Sequence, residues 1–313
     1  MFTQKPFQPL SAAILVLLVT HAFSLQPSVL GGDDAAKTHS PQASEFNVSI
    51  IKNRMAFKTV EDYERVVDNP KTELKNEFIK TINTLTNFNS YSKQLPSSGD
   101  RSTRDARSIK DEYFASILNP DLVVQIGGYI FKVNPASEKV YALPVDDEAQ
   151  YKDLISENTA NTKIRVFSTN DDVLDLIRNH GTETRSLFCN QSGIGNKSAG
   201  AYINGSNLVT ADYTKYGIYF SLVAKIGSIG SWPSLYVFDF TGGKNKGYVH
   251  YHVRCGSTSD YSTATQGSWT GTYQKYASYQ GSKNLNELYF GFRVKNAGTG
   301  QYVTPYVIIR QNW

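Results

Sequence analysis

The sequence predicts an α+β amino-terminal domain followed by an all-β antiparallel domain of the sandwich or jelly-roll type. Three observations carry that expectation. Apolar runs in residues 45–184 alternate between the two-residue period of strands and the three-to-four-residue period of helices. Residues 185–313 contain only short β-rich runs bounded by Gly, Asn, Ser and Thr. Charge and aromatic content change at the same place: residues 45–184 hold 18 Lys or Arg against 22 Asp or Glu, whereas residues 185–313 hold 12 against 4 and 14 of the 20 tyrosines. The whole chain of 313 residues is 40% hydrophobic and 19% charged with a net charge of +4, which excludes collagen-like, coiled-coil and multi-span membrane architectures. So small an excess of positive charge also argues against a nucleic-acid partner.

Taken in chain order, residues 1–24 read as a signal peptide. Lys5 supplies a basic start, residues 10–19 (LSAAILVLLV) an apolar run, and Ala22 and Ser24 the small residues a signal peptidase inspects. The run is about half the roughly 20 apolar residues that cross a bilayer, and no other segment is long enough to span one. Export to the periplasm, the cell surface or the medium is therefore expected, with cleavage after Ser24. Residues 25–44, rich in Ser, Pro, Gly, Asp and Ala, read as a flexible leader.

In residues 45–184, Met55, Ala56 and Phe57 read as a strand end, and Thr59 with Asp62 as an approximate capping box opening a helix with Tyr63, Val66 and Val67 on one face. Pro70 precedes a second helix whose apolar positions are Leu74, Phe78, Ile79, Ile82 and Leu85, with its end near Phe88. Residues 89–108 are polar and interrupted by Pro and Gly, hence an exposed loop. Residues 122–126 and 129–133, separated by Gly127 and Gly128, predict a hairpin with a two-residue primed turn. A strand over 140–143, a helix over 147–157, a strand over 164–167 and a helix over 171–179, capped by Ser168 or Asn170, complete this part.

In residues 185–313 the predicted strands are 216–224, 235–240, 248–255, 288–295 and 302–310. Cys189 and Cys255 are the only cysteines, and in an exported chain they form a candidate disulfide closing a loop of about 65 residues, worth roughly 3–4 kcal/mol; two separate buried thiols are the alternative. A basic, Tyr-rich β-domain has the composition of a binding surface, because tyrosine offers a stiff flat face with a polar tip. Trp232, Trp269, Tyr273, Tyr276 and Tyr279 lie in Gly/Ser-rich, turn-like surroundings and are the candidate ligand-binding rings, with coverage of the sandwich end as the alternative role for each.

Residues 111–119 (DEYFASILN), 124–133 (VQIGGYIFKV) and 216–222 (YGIYFSL) resemble stretches of uncharacterised exported proteins of Gram-negative bacteria, a family defined by a domain of unknown function. The resemblance implies export and a two-part architecture, and brings no catalytic motif with it.

Little in the sequence points to chemistry. His250 and His252 alternate on a predicted strand and share a face, but no third metal ligand is evident and Cys255 falls on the opposite face. There is no nucleophile elbow, and residues 193–198 (GIGNKS) lack the spacing of a phosphate loop. Asp146, Asp147 and Glu148 fit a helix entry better than a Ca²⁺ site. No cofactor or metal is expected. The function expected is that of an exported, non-enzymatic binding or adhesion protein that recognises a glycan or cell-surface polymer through its Tyr-rich β-domain. An exported hydrolase acting on polysaccharide or envelope material is the alternative, and an effector targeting a membrane or protein a third reading. The oligomeric state is left open.

Overall fold

The computed structural model describes residues 46–68, 72–94, 108–178, 193–203, 207–226, 236–239, 249–254, 259–261, 268–269, 274–296 and 298–311. The signal-peptide and leader readings and the Cys189–Cys255 pairing lie outside these residues. The protein is mostly β, with three sheets rich in antiparallel pairing and few helices.

The first sheet begins with a hairpin. Strands β1 (Val48–Ile51) and β2 (Arg54–Phe57) are joined by Lys52 and Asn53, both at positive φ (47° and 60°), the geometry of a primed two-residue turn. Helix α1 (Val60–Val67) follows. Thr59 caps it by accepting the Asp62 N–H at 3.1 Å, and Tyr63, Val66 and Val67 form its buried face, as the capping box predicts. Helix α2 (Thr72–Thr84) stops one turn before the expected end at Phe88. Helix α3 (Glu112–Ile117) is capped by Asp111, which accepts the N–H groups of Tyr113 and Phe114. Strands β3 (Val123–Ile126) and β4 (Tyr129–Asn134) form the predicted hairpin, with Ile126 opposite Tyr129 and Gly127 at φ 56°.

Strand β5 (Lys139–Pro144), the short helix α4 (Tyr151–Ile155), strand β6 (Arg165–Ser168) and helix α5 (Asp175–Arg178) follow. The six strands are ordered β1-β2-β3-β4-β5-β6, antiparallel except where β2 meets β3. Alternation sorts the two faces. Phe131, Val133, Val140 and Ala142 pack under α1 to α3, while Ile130, Tyr141 and Leu143 pack against Leu154 of α4. The predicted helix over 147–157 is divided, a 3₁₀ segment over Val145–Gln150 preceding α4.

The carboxy-terminal strands are β7 (Lys197–Ile203), β8 (Asn207–Lys215), β9 (Phe220–Ile226), β10 (Tyr236–Asp239), β11 (Val249–Val253), β12 (Ser259–Tyr261), β13 (Ser268–Trp269), β14 (Gln274–Gly281), β15 (Leu285–Asn296) and β16 (Val307–Gln311). They form two sheets. One runs β14-β9-β8-β7, and the other runs β12-β11-β15-β10-β13 with β16 added to β15. Both contribute to a single core, in which Val209, Tyr213 and Leu222 of the first meet Phe238, Phe290 and Phe292 of the second.

Two expected strands are displaced, each for a local reason. The strand expected over 216–224 starts only at Phe220, because Gly217 at φ 75° turns the chain and the Tyr216 N–H bonds back to the Tyr219 carbonyl at 2.8 Å. A side chain at Gly217 would also come within 2.6 Å of Val140 Cγ2 and 2.9 Å of Val173 Cγ2. The strand expected over 302–310 starts at Val307, since Pro305 has no N–H for the ladder. Tyr216, Ile218 and Tyr219 are buried with α1 to α3 rather than with the later sheets. Residues 216–219 therefore cross the expected boundary at 184–185 and pack into the core of the first sheet.

Candidate functional site

Strand β15 has twelve residues, and its alternation creates two unlike faces. Leu288, Phe290, Phe292 and Val294 are buried in the core between the sheets. Arg293 and Lys295, alternating with them, lie on the other face and are half-buried. Along one edge of β15, β11 pairs with its first half and β10 with its second, so that Asp239 lies opposite Arg293 and Val237 opposite Lys295. Along the other edge runs β16, with Ile308 opposite Gly291.

The chain reaches β16 through a tight reversal centred on Asn296. Its side-chain oxygen accepts the N–H groups of Gly298 and Thr299 at 2.9 and 3.0 Å, and its carbonyl accepts that of Gly300, which sits at φ 69°. The returning segment lies beside β15. Tyr302 bridges to Lys295, the Val303 N–H bonds the Val294 carbonyl at 2.8 Å, and the Val294 N–H donates to Thr304 Oγ1 at 2.9 Å. Pro305 then interrupts the pairing before β16 resumes it. Tyr302 and Tyr306, on either side of this interruption, reach over the outer face of β15.

Between these rings lies Arg293. Its guanidinium carbon is 3.4 Å from the centroid of the Tyr302 ring and 4.2 Å from that of Tyr306. Stacking holds the cation in place, for Arg293 Nε is buried without a hydrogen-bond partner. The Tyr302 hydroxyl donates to Asp239 Oδ2 at 2.7 Å, and Lys295 Nζ stands 3.8 Å from the same oxygen. Bonding to the Asp239 carboxylate raises the Tyr302 phenol above its ordinary pKa of 10, so the hydroxyl keeps its proton and its role as donor. Asp239 is buried, yet Tyr302 remains 46% and Tyr306 40% exposed. The result is a platform of two exposed rings with a positive charge fixed between them. The rings offer flat apolar area with polar tips, and the guanidinium offers hydrogen-bond donors to oxygen acceptors.

The platform is anchored at the far end of β15. Asp172 accepts the Asn284 N–H at 2.7 Å and pairs with Arg254 Nη1 at 3.1 Å, and Asn284 in turn accepts the Tyr213 hydroxyl at 2.6 Å. On the preceding turn, Asp68 accepts the Ser282 N–H at 2.7 Å. Burial pushes the Asp172 carboxyl up to about 6, against an ordinary 3.8. A raised value means that the folded protein takes up a proton between pH 7 and 5 that the unfolded chain does not, so this group's contribution to stability rises as the pH falls through that window. Asp172→Asn is accordingly expected to remove about 1 kcal/mol of stabilisation gained between pH 7 and pH 5. Urea denaturation of both proteins at the two pH values measures it, and an identical pH dependence in both would refute the assignment.

The rings singled out in the sequence are placed differently. Trp232 and Tyr273 lie outside the described residues. Trp269 belongs to β13, in register with Tyr236, and Tyr276 belongs to β14 opposite Ala224; these are strand rather than turn positions. Tyr279 is also on β14. It is 4% exposed, packs on Tyr251 at 5.1 Å and donates its hydroxyl to the Lys283 carbonyl at 2.7 Å, so it is a core ring with no free face for a ligand. Strand propensity depends on packing neighbours, which Gly/Ser-rich sequence does not display. Of the platform, sequence reasoning missed Arg293, Tyr302 and Tyr306. The available signal was the pair of tyrosines flanking Thr304 and Pro305.

His252, one of the alternating histidines, pairs through Nδ1 with Glu287 at 3.3 Å, and no group of three metal-ligating side chains converges among the described residues. Glu148 binds Lys52 and Arg54, and Asp147 pairs with Lys163 at 3.3 Å. No helix among the described residues is long and apolar enough to cross a membrane. Comparison of the chain with family models, curated proteins and solved structures finds no match.

Proposed function

We propose that this is an exported binding protein that recognises a cell-surface polysaccharide through the Tyr302–Arg293–Tyr306 platform. The observation that carries the reading is the pair of exposed tyrosine rings held around one guanidinium on the outer face of β15. Export rests on the apolar run of residues 10–19 and the small residues that follow it. The amino-terminal part, read as an α+β scaffold, supports a carboxy-terminal sandwich that presents the platform.

Binding is favoured over hydrolysis by the state of the carboxylates. Asp212 is engaged by Ser198 and Thr210, Asp239 by Tyr302 and Lys295, and Glu287 by His252. A glycosidase needs two carboxyl groups facing one another across a cleft, and these three are committed to separate partners.

The test is a glycan array followed by calorimetry on the best ligand. Tyr302→Ala with Tyr306→Ala is expected to weaken binding by about tenfold to a hundredfold, the loss of two stacking contacts, and circular dichroism and a denaturation curve establish that the variant is folded under the assay conditions. Trp232→Ala with Trp269→Ala serves as the comparison. Undiminished binding by the tyrosine variant would place the ligand elsewhere, and failure of the parent protein to bind any glycan would sink the reading.

A further inference from the structure

A separate cleft of about 620 Å³ lies where the first sheet meets the ends of β7 and β8, within the size range of small-molecule sites. Its walls include Glu138 from the β4–β5 side of the first sheet, Thr169 just after β6, Asn196 and Lys197 at the start of β7, and Lys215 at the end of β8. None of the platform residues lines it.

Lys215 is the unusual member. It is 4% exposed, yet its ammonium makes no hydrogen bond or ion pair with any described residue. Glu138 and Asp171 act on it only through space, and burial outweighs them, holding the amine below its ordinary pKa of 10.5. Glu138 is itself engaged by Asn196 Nδ2 at 3.1 Å. A second group on the same cleft has the same deficit: Thr169 Oγ1 is buried without a hydrogen-bond partner. A buried hydroxyl without a partner is costly, and an ammonium without a counter-charge on the same cleft favours an oxyanion there. Lys110 and Lys197 add positive charge to the walls, while the nearness of Glu138 and Asp171 favours a single negative charge over a double one.

We infer that this cleft binds a small molecule through a carboxylate, which sits against the Lys215 ammonium and accepts a hydrogen bond from the Thr169 hydroxyl. The inference does not depend on the platform or on its ligand.

The experiment uses the whole protein and three probes at matched ionic strength: D-glucuronate, D-glucose, which lacks the carboxylate, and inorganic phosphate. Amine acetylation by an activated ester, read by peptide mass spectrometry, reports on Lys215 without any mutation, and calorimetry reports binding. Glucuronate is expected to slow acetylation of Lys215 by at least about fivefold and to release heat on binding, with glucose doing neither. Lys215→Met, which keeps an unbranched side chain one atom shorter and removes its charge, is expected to lower glucuronate affinity by at least about tenfold. Equal protection by glucose would overturn the role of the charge, and protection by phosphate but not by glucuronate would overturn the choice of a carboxylate. Absence of both protection and heat with all three probes would overturn the site itself.

Discussion

Phe114→Ala is expected to lower the stability of the protein by about 3–5 kcal/mol, and to do so for the amino-terminal and carboxy-terminal parts together. Phe114 is fully buried on α3. Its ring stacks on that of Tyr219 at 4.6 Å with an interplanar angle of 6°, and on that of Tyr216 at 5.2 Å. The tyrosines belong to the turn that leads into β9, so this stack fastens the carboxy-terminal sheets to the helices of the first part. Polar contacts surround it. The Tyr63 hydroxyl donates to the Ile218 carbonyl at 3.0 Å, the Tyr216 hydroxyl accepts the Lys110 N–H at 2.8 Å, and Gln280 Nε2 donates to the Tyr219 hydroxyl at 2.7 Å. Truncation leaves a cavity among rings that are themselves tied by hydrogen bonds and cannot readily collapse. Urea denaturation followed by far-ultraviolet circular dichroism and by tryptophan fluorescence is the measurement, the three tryptophans all lying after residue 231. A single transition displaced equally in both signals is expected. A fluorescence transition left at the parent midpoint would show that the two parts unfold independently.

The second large effect is expected at Glu148. Arg54 is almost wholly buried on β2, where its Nη2 pairs with Glu148 Oε1 at 2.5 Å, its Nε donates to Gln125 Oε1 at 3.0 Å, and its guanidinium lies 5.6 Å from the centre of the Tyr151 ring. Glu148 also accepts a hydrogen bond from Lys52 at 2.9 Å. That bond, with Arg54 adding to it, holds the Glu148 carboxyl below its usual range. Glu148→Ala leaves the Arg54 cation buried without its counter-charge and is expected to cost about 3–5 kcal/mol. Adding Arg54→Met removes the stranded charge and is expected to restore part of that loss, since an unpaired buried cation costs more than the shorter apolar side chain that replaces it. Denaturation midpoints of the two single variants and the double variant form the test. A double variant no more stable than Glu148→Ala would show that the pair is not a coupled unit.

How far the sequence could be read varied with how local the deciding interactions are. The helix start at Thr59 and the hairpin at Gly127 and Gly128 follow from capping and turn geometry within four or five residues, and both were legible. Strands β4 and β5 were legible for the same reason, as short β-rich runs bounded by turn residues. Strands β7, β8 and β14 were not foreseen. Their sequences, such as KSAGAYI and QKYASYQG, are small and polar, and they become strands through pairing partners far along the chain. Tyr279 illustrates the cost of that blindness: its Gly/Ser-rich setting suggested an exposed ring, and pairing with β9 turned it into the core.

The candidate site was legible only in its residue types. A basic, tyrosine-rich carboxy-terminal half pointed to a surface of rings and cations, and of the rings it named the structure places Tyr279 in the core. Arg293 and Tyr302 are nine residues apart, and Asp239 is more than fifty residues from either. What assembles them is the reversal at Asn296, which folds the tyrosines back over β15, and the pairing of β10 with β15, which sets Asp239 opposite Arg293. Helix caps, tight turns and the basic, tyrosine-rich character of the carboxy-terminal half could be read from short stretches of chain, because each is a property of the residues within them. Which tyrosines face solvent and which charged groups are paired emerged only from the packed sheets, because burial and register are set by strands that meet from distant parts of the chain.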